Sequence, residues 1–170
     1  LVGCTLSAWR LLERFKSEAP QARVYNPDYE KHGWQSTHTA VEVLHADQPF
    51  LVDSVRMELN RHGYSIHTLQ NSVFSVRRNK QGELLELLPK GTTGKDVQHE
   101  ALMYLEINRC ANVGALRTLE KALQDVLASL RSGNPDLGSI GASQTSYREM
   151  IKALDEVVEL NRKGALAAGE

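Results

Sequence analysis

Cysteine is scarce in this chain. The two present among 170 residues, Cys4 and Cys110, have no metal-ligand spacing and sit in apolar patterns, which fits a reduced, cytoplasmic setting. Long hydrophobic runs are missing too. None approaches the roughly 18 residues that a membrane span needs. Charge of one sign is also lacking, with 20 Lys plus Arg against 21 Asp plus Glu and a net charge of −1. That balance argues against a nucleic-acid binder that relies on phosphate neutralisation. The N-terminal stretch LVGCTLSAWRLLERF has no basic lead and turns polar too early for a signal peptide.

What is present is ordinary globular composition. With 41% apolar residues and almost no net charge, the chain is not disordered as a whole. A chain of this length buries about 70% of its unfolded surface, enough for one core. It opens inside a helical pattern without an initiator Met. It closes on Ala165-Leu166-Ala167-Ala168-Gly169-Glu170 with no stop feature, and so reads as a piece of a longer protein.

The apolar spacing of Leu6, Trp9, Leu11, Leu12 and Phe15 predicts a helix over Leu6 to Glu18, with Thr5 or Ser7 placed to cap it. Residues 21–37 read as a connection with one short strand at Ala22 to Tyr25. Thr39 to His45 alternates and is β-branched, so it reads as a strand. Asp47-Gln48-Pro49 breaks it, and a helix runs from Phe50 to His62, with Leu51, Val55 and Leu59 on one face and Gly63 at its end. Tyr64 to Arg78 is a long strand of imperfect alternation. Either a bulge lies near Asn71 or both sheet faces are covered. Asn79-Lys80-Gln81-Gly82 turns the chain into a strand over Glu83 to Leu88. A further strand covers Ala101 to Arg109. Asn112 caps a helix whose seam is Leu116, Leu119, Leu123, Val126 and Leu130. Residues 132–145 are Gly/Ser/Asn-rich and read as a linker. Ser146-Tyr147-Arg148-Glu149 is a capping box opening a last helix, and 146–170 reads as that helix and a tail. A strand–helix–strand unit followed by antiparallel strands and a second helix implies an α+β, ferredoxin-like sandwich. Its sheet is mostly antiparallel with helices on one face, and N-terminal and C-terminal helices are added.

No pattern of residues calls for catalysis. No two of the six histidines stand at i and i+4 with a carboxylate partner; His45 and His67 could neighbour one another if their strands pair, with Asp47 nearby. Gly91-Thr92-Thr93-Gly94-Lys95 has the wrong spacing for a phosphate loop, and Asp96 follows the lysine. The same GxxG resembles an RNA-binding loop, but that loop joins two helices and this one joins two strands. Arg77, Arg78 and Lys80 read as a solvated hairpin tip. The turn Asp47-Gln48-Pro49-Phe50 leads from a strand into a helix N-terminus, where backbone N–H groups can hold a carboxylate such as that of an amino acid.

The residues from His38 to Leu44, and from Asp47 through Pro49-Phe50-Leu51-Val52-Asp53-Ser54-Val55-Arg56-Met57-Glu58-Leu59, closely resemble the N-terminal region of the large bacterial NAD-specific glutamate dehydrogenases. So do Val76-Arg77-Arg78 with Gly82, the run Glu100 to Ile107, and Leu6 to Arg10. The resemblance covers most of residues 1–130, and Pro49 to Leu59 is its specific part. It implies an ACT-like α+β domain over 38–131, preceded by an N-terminal helix and connection over 1–37. It also implies a regulatory or assembly role in an enzyme converting glutamate and NAD to 2-oxoglutarate, ammonia and NADH. On this reading the segment is non-catalytic and holds neither cofactor nor metal, and NAD belongs to the parent chain. A free amino acid is the implied effector, at Asp47, Gln48, Pro49, Phe50 and Leu51. Other domains of the parent and further copies of it are the implied partners, met through Tyr64, Thr68, Tyr104, Leu116 and Leu123; neither nucleic acid nor membrane is among them. A purely structural oligomerisation domain, or an RNA-binding ferredoxin-like module, are the alternatives.

Two features depart from the family pattern. ACT ligand turns commonly carry glycine after the proline, where this chain has Phe50. The usual order also closes with a strand after the second helix. Here the missing strand comes from either Ala22–Tyr25 or Glu83–Leu88.

Overall fold

The computed structural model describes residues 2–13 and 21–131. It divides the chain into two units, Leu1–Arg131 and Ser132–Glu170. The expected linker, the last helix and the end of the first helix lie outside the described residues. Within the first unit the order is α1 (Val2–Glu13), β1 (Gln21–Tyr25), α2 (Tyr29–His32), β2 (Thr39–Ala46), α3 (Leu51–Arg61), β3 (Ile66–Arg78), β4 (Leu84–Leu88), β5 (Gln98–Ile107) and α4 (Val113–Arg131).

The strands form one sheet in the order β1-β2-β5-β3-β4, with every neighbouring pair antiparallel. β2 and β3, joined by α3, run the same way, but β5 lies between them rather than leaving them paired. That is the split strand–helix–strand of a ferredoxin-like sheet. The edge beside β2 is filled by β1, so of the two candidate segments it is Gln21–Tyr25 that occupies the place of a closing strand. β4 is an extra strand on the far edge.

Alternation sets the two faces. Val41 and Val43 of β2, with Ala101, Met103, Leu105 and Ile107 of β5, point to one side and are buried under Leu51, Val55 and Leu59 of α3 and Leu116, Leu119, Leu123 and Leu127 of α4. The register of β3 shifts between Ile66 and Thr68, not near Asn71. One extra residue there inverts the parity upstream and brings Ile66 and Leu69 to the same core face. Leu44 points the other way and is buried with Leu11 and Leu12 of α1, while Leu84 and Leu102 pack alongside. A bulge therefore accounts for the imperfect alternation at the start of β3; Gln70 to Val73 are exposed, and only Ser75 and Val76 are buried at consecutive positions.

Local chemistry explains the helix ends. The Asn112 side chain accepts from the amides of Gly114 and Ala115 at 2.8 and 3.1 Å, capping α4. Gly63, at φ 78°, takes the left-handed conformation that ends α3. The Tyr64 amide donates to the Leu59 carbonyl at 3.0 Å, and its ring returns to the core.

Candidate functional site

The turn after β2 is held from below. The Asp47 amide donates to the His99 carbonyl at 2.8 Å, so β5 pins the start of the turn. Leu51, at its other end, is buried in the core. Between these anchors Asp47, Pro49 and Phe50 are exposed and Gln48 is half-buried. Phe50 has φ 67° and ψ 1°, and is the one described non-glycine residue with positive φ. It is the N-cap of α3, no side chain caps the helix there, and its ring is 49% exposed. A non-glycine residue in this region costs roughly 1–2 kcal/mol, so the surrounding structure must hold it there. The bulkier residue thus takes the left-handed backbone conformation that glycine adopts most readily.

Two residues before Asp47, at the end of β2, His45 is 2% exposed. Its Nδ1 is 2.9 Å from the Ala46 carbonyl and its Nε2 is 3.2 Å from the Leu127 carbonyl on α4. His45 and His67 are not neighbours. β5 separates their strands, and His67 instead meets His38, with ring centroids 4.5 Å apart. Among the described residues no group of three or more His, Cys, Asp or Glu could hold a metal ion.

The opposite sheet face carries a buried polar cluster. Glu42 is fully buried; the Tyr25 hydroxyl donates to its Oε1 at 2.8 Å, and Arg23 Nη1 lies 3.3 Å from its Oε2. Ser7 of α1 donates in turn to the Tyr25 hydroxyl at 3.0 Å. Burial pushes the Tyr25 hydroxyl well above the ordinary phenol value; the Ser7 bond opposes this and the Glu42 charge reinforces it. Further along, Arg78 and Glu100 are 2% and 1% exposed and joined by two bonds of 2.6 and 2.7 Å. Arg78 also donates to the carbonyls of Gly82 and Leu12, tying the hairpin and α1 to β5. Arg78 is therefore no part of a solvated tip. Its charge is satisfied inside, whereas Arg77 remains outside on Glu86 at 2.7 Å. Alternation explains the split: consecutive strand residues face opposite ways.

The interface residues expected from sequence scatter. Leu116 and Leu123 lie inside the core under the sheet. Tyr64 packs at the core's margin, and a hydrogen bond with Cys110, helped by burial, pushes its hydroxyl up to about 12. Thr68 and Tyr104 are half-buried on the α1 side of the sheet. There the Tyr104 hydroxyl donates to Glu106 at 2.9 Å, and the ring lies 6.5 Å from that of Trp34. A hollow of about 590 Å³ lined by Arg10, Leu11, Glu13, Gln21 and Arg23 opens beside α1 and β1, away from the turn.

Sequence reasoning missed the two sheet edges. At β1, the Val24 amide donates to Glu120 Oε2 at 2.9 Å and Gln124 donates to the Ala22 carbonyl at 3.3 Å. At β4, Leu85 and Leu87 are 65% and 40% exposed. The available signal was the composition of β4 itself, four leucines in five residues.

Comparison with known proteins agrees with this geometry. The sequence matches the family described as glutamate dehydrogenase, ACT1 domain, over residues 1–123. The NAD-specific glutamate dehydrogenase of Pseudomonas aeruginosa is 75% identical over 131 residues, which is 77% of this chain and 8% of that protein. That of Halomonas elongata is 41% identical over 153 residues, 90% of this chain and 10% of that protein. The protein of the same name from Mycobacterium tuberculosis is 28% identical over 129 residues, 76% of this chain and 8% of that protein. The chain thus spans about a tenth, or less, of the length of the curated relatives it matches.

Proposed function

Because the chain belongs to the glutamate dehydrogenase ACT1 domain family, we propose that it is a non-catalytic regulatory and assembly module of an NAD-specific glutamate dehydrogenase. The parent enzyme oxidises glutamate with NAD to 2-oxoglutarate, ammonia and NADH, and does so outside this segment. NAD binds there too, in the cytoplasm. No helix among the described residues is long and apolar enough to cross a membrane.

The module senses a free amino acid at the turn Asp47–Leu51. The observation that carries this reading is the backbone of Phe50, left-handed at φ 67° at the mouth of a helix that no side chain caps. An amino acid's carboxylate suits the N–H groups and positive end of α3. The exposed Asp47 supplies the opposite charge for its ammonium group. His45, bonded to the Leu127 carbonyl, links the end of β2 to α4 and gives an occupied turn something to pull on.

Thermal unfolding with arginine, aspartate, glutamate and NAD in turn tests this. A ligand at about 100 times its Kd adds ~2.7 kcal/mol. For a domain of this size that raises the midpoint by roughly 5–10 °C. A rise with one amino acid, lost in Asp47→Ala, is expected. No rise with any amino acid would leave the assembly role alone. Turnover of glutamate with NAD by this chain would overturn the non-catalytic reading.

A further inference from the structure

The two arginines of α3 differ in their surroundings. Arg61 is met by the buried Glu58, with its Nε 3.0 Å from Oε2. Arg56 is met by no described carboxylate or carbonyl, Asp53 on the same helix included. It belongs to the stripe Val52, Arg56 and Asn60, residues four apart on one side of α3. Opposite that stripe lie Ile66, His67 and Leu69 of β3, and a groove of about 500 Å³ runs between them.

The bulge builds the floor of this groove. It brings Ile66 and Leu69 to one face, where both, with Val52, are partly buried against the core. The ring of His67 packs on that of His38, so the polar side chains left to the groove are the Arg56 guanidinium and the Asn60 amide. No acid is among its described lining residues. Its outer side is open as well: β4 pairs with β3 only from Ser75 onward, and no described strand lies along that edge from Ile66 to Phe74.

We infer that this groove binds a small carboxylic acid with an aliphatic body. The carboxylate accepts two parallel N–H bonds from the planar Arg56 guanidinium. The Asn60 amide, one turn further along the helix, is a further donor on the same side. The hydrocarbon covers Val52, Ile66 and Leu69 and removes their exposed surface from water. Small-molecule sites combine a mostly apolar lining with a few polar groups that fix orientation, and a groove of this size admits such an acid. Charge alone does not make the site, because a solvated guanidinium holds a bare anion weakly. The apolar floor beside it supplies the rest. The groove starts one residue past the turn Asp47–Leu51 and uses none of the turn's groups, so it goes beyond the function proposed above and is tested apart from it.

Nuclear magnetic resonance of the full chain, following backbone amides, methyl groups and arginine Nε–H during titration with 4-methylpentanoate, decides it. Acetate supplies the charge without the body, and 4-methylpentanamide the body without the charge. Saturable shifts are expected with 4-methylpentanoate at Val52, Arg56, Ile66 and Leu69. Each control is expected to bind at least roughly tenfold more weakly, about 1.4 kcal/mol. Arg56→Gln, at an exposed position without a partner, is expected to lose the same factor while its thermal midpoint stays at the wild-type value. If that midpoint moves, the three ligands on the wild type decide alone. Asp47→Ala is expected to leave binding unchanged. No saturable shift at these residues, equal binding of either control, or undiminished binding by a folded Arg56→Gln overturns the inference and leaves the turn standing. Shifts that vanish in Asp47→Ala assign the ligand to the turn and overturn the groove.

Discussion

At one edge of the sheet Val24 and Ala22 hand their outward backbone groups to Glu120 and Gln124 of α4. At the other edge Leu84–Leu88 hands its own to no described residue and leaves Leu85 65% exposed. The physical difference is the helix layer. α4 lies over β1, and residues four apart on one helix face fall in line along the strand edge. β4 is added by a hairpin, and no described helix bonds its outer edge. It is nevertheless fixed on its inner side, where Arg78 binds Glu100 and the Gly82 carbonyl. A hairpin that is rigid within and open without is suited to contact. The closed edge belongs to the core, and its bonds serve stability.

That contrast can be broken or sharpened by substitution. The largest effect is expected from Glu100→Ala, which strands the buried Arg78 guanidinium and frees the hairpin and α1. Breaking a buried pair costs about 3–5 kcal/mol, readable by urea unfolding. Arg78→Met with Glu100→Leu should recover most of that loss, since it removes both charges. A loss under about 1 kcal/mol for Glu100→Ala would mean that the hairpin is not anchored inward as described.

Next comes Glu120→Ala, which leaves the Val24 amide without its acceptor and opens the closed edge. An unmet buried donor costs about 1–3 kcal/mol. The same variant should also gain a tendency to self-associate through β1, seen as new concentration-dependent species. If it stays stable and monomeric, side-chain bonding is not what closes that edge.

Phe50→Gly should act in the opposite direction. Relief of the left-handed strain, less the extra backbone freedom of glycine, predicts a gain of about 0.5–1 kcal/mol in unfolding free energy. A loss instead would show that the Phe50 ring packs in a way its 49% exposure conceals.

Alkaline pH probes the β1 side through Tyr25, whose hydroxyl is raised by burial, and the α3 end through Tyr64, raised to about 12. Both folds-in hydroxyls hold their protons above the unfolded value of 10.0. The folded state then binds more protons than the unfolded one, so stability is level below pH 10.0 and falls as pH rises beyond it. Tyr64→Phe should shallow that fall in denaturant titrations. The smallest effect on stability is expected for Leu85→Lys, within about 0.5 kcal/mol, as for an exposed substitution.

Much of the architecture was legible. The strand Thr39–Ala46, helix Leu51–Arg61 and capped helix Val113–Arg131 appear where apolar period, turn residues and caps placed them. The turn between β2 and α3 was legible as a turn because Asp47-Gln48-Pro49 breaks the strand just before a helical face begins. Arg78 was misread as a surface tip, because nothing beside it in the chain reveals Glu100, 22 residues away. Either a bulge near Asn71 or cover on both faces was expected of β3; the bulge lies between Ile66 and Thr68, where the pairing with β5 shifts.

By itself the sequence determined the longer elements, their order and the core faces of β2, α3, β5 and α4. Period, caps and breakers act within a few residues, and those residues are adjacent in the chain. Only the tertiary structure decided which edge β1 occupies, that α4 closes that edge through Gln124 across 102 residues, and that no described residue bonds the outer edge of β4. Those outcomes depend on which surfaces meet once the layers have stacked, and no local signal carries that information.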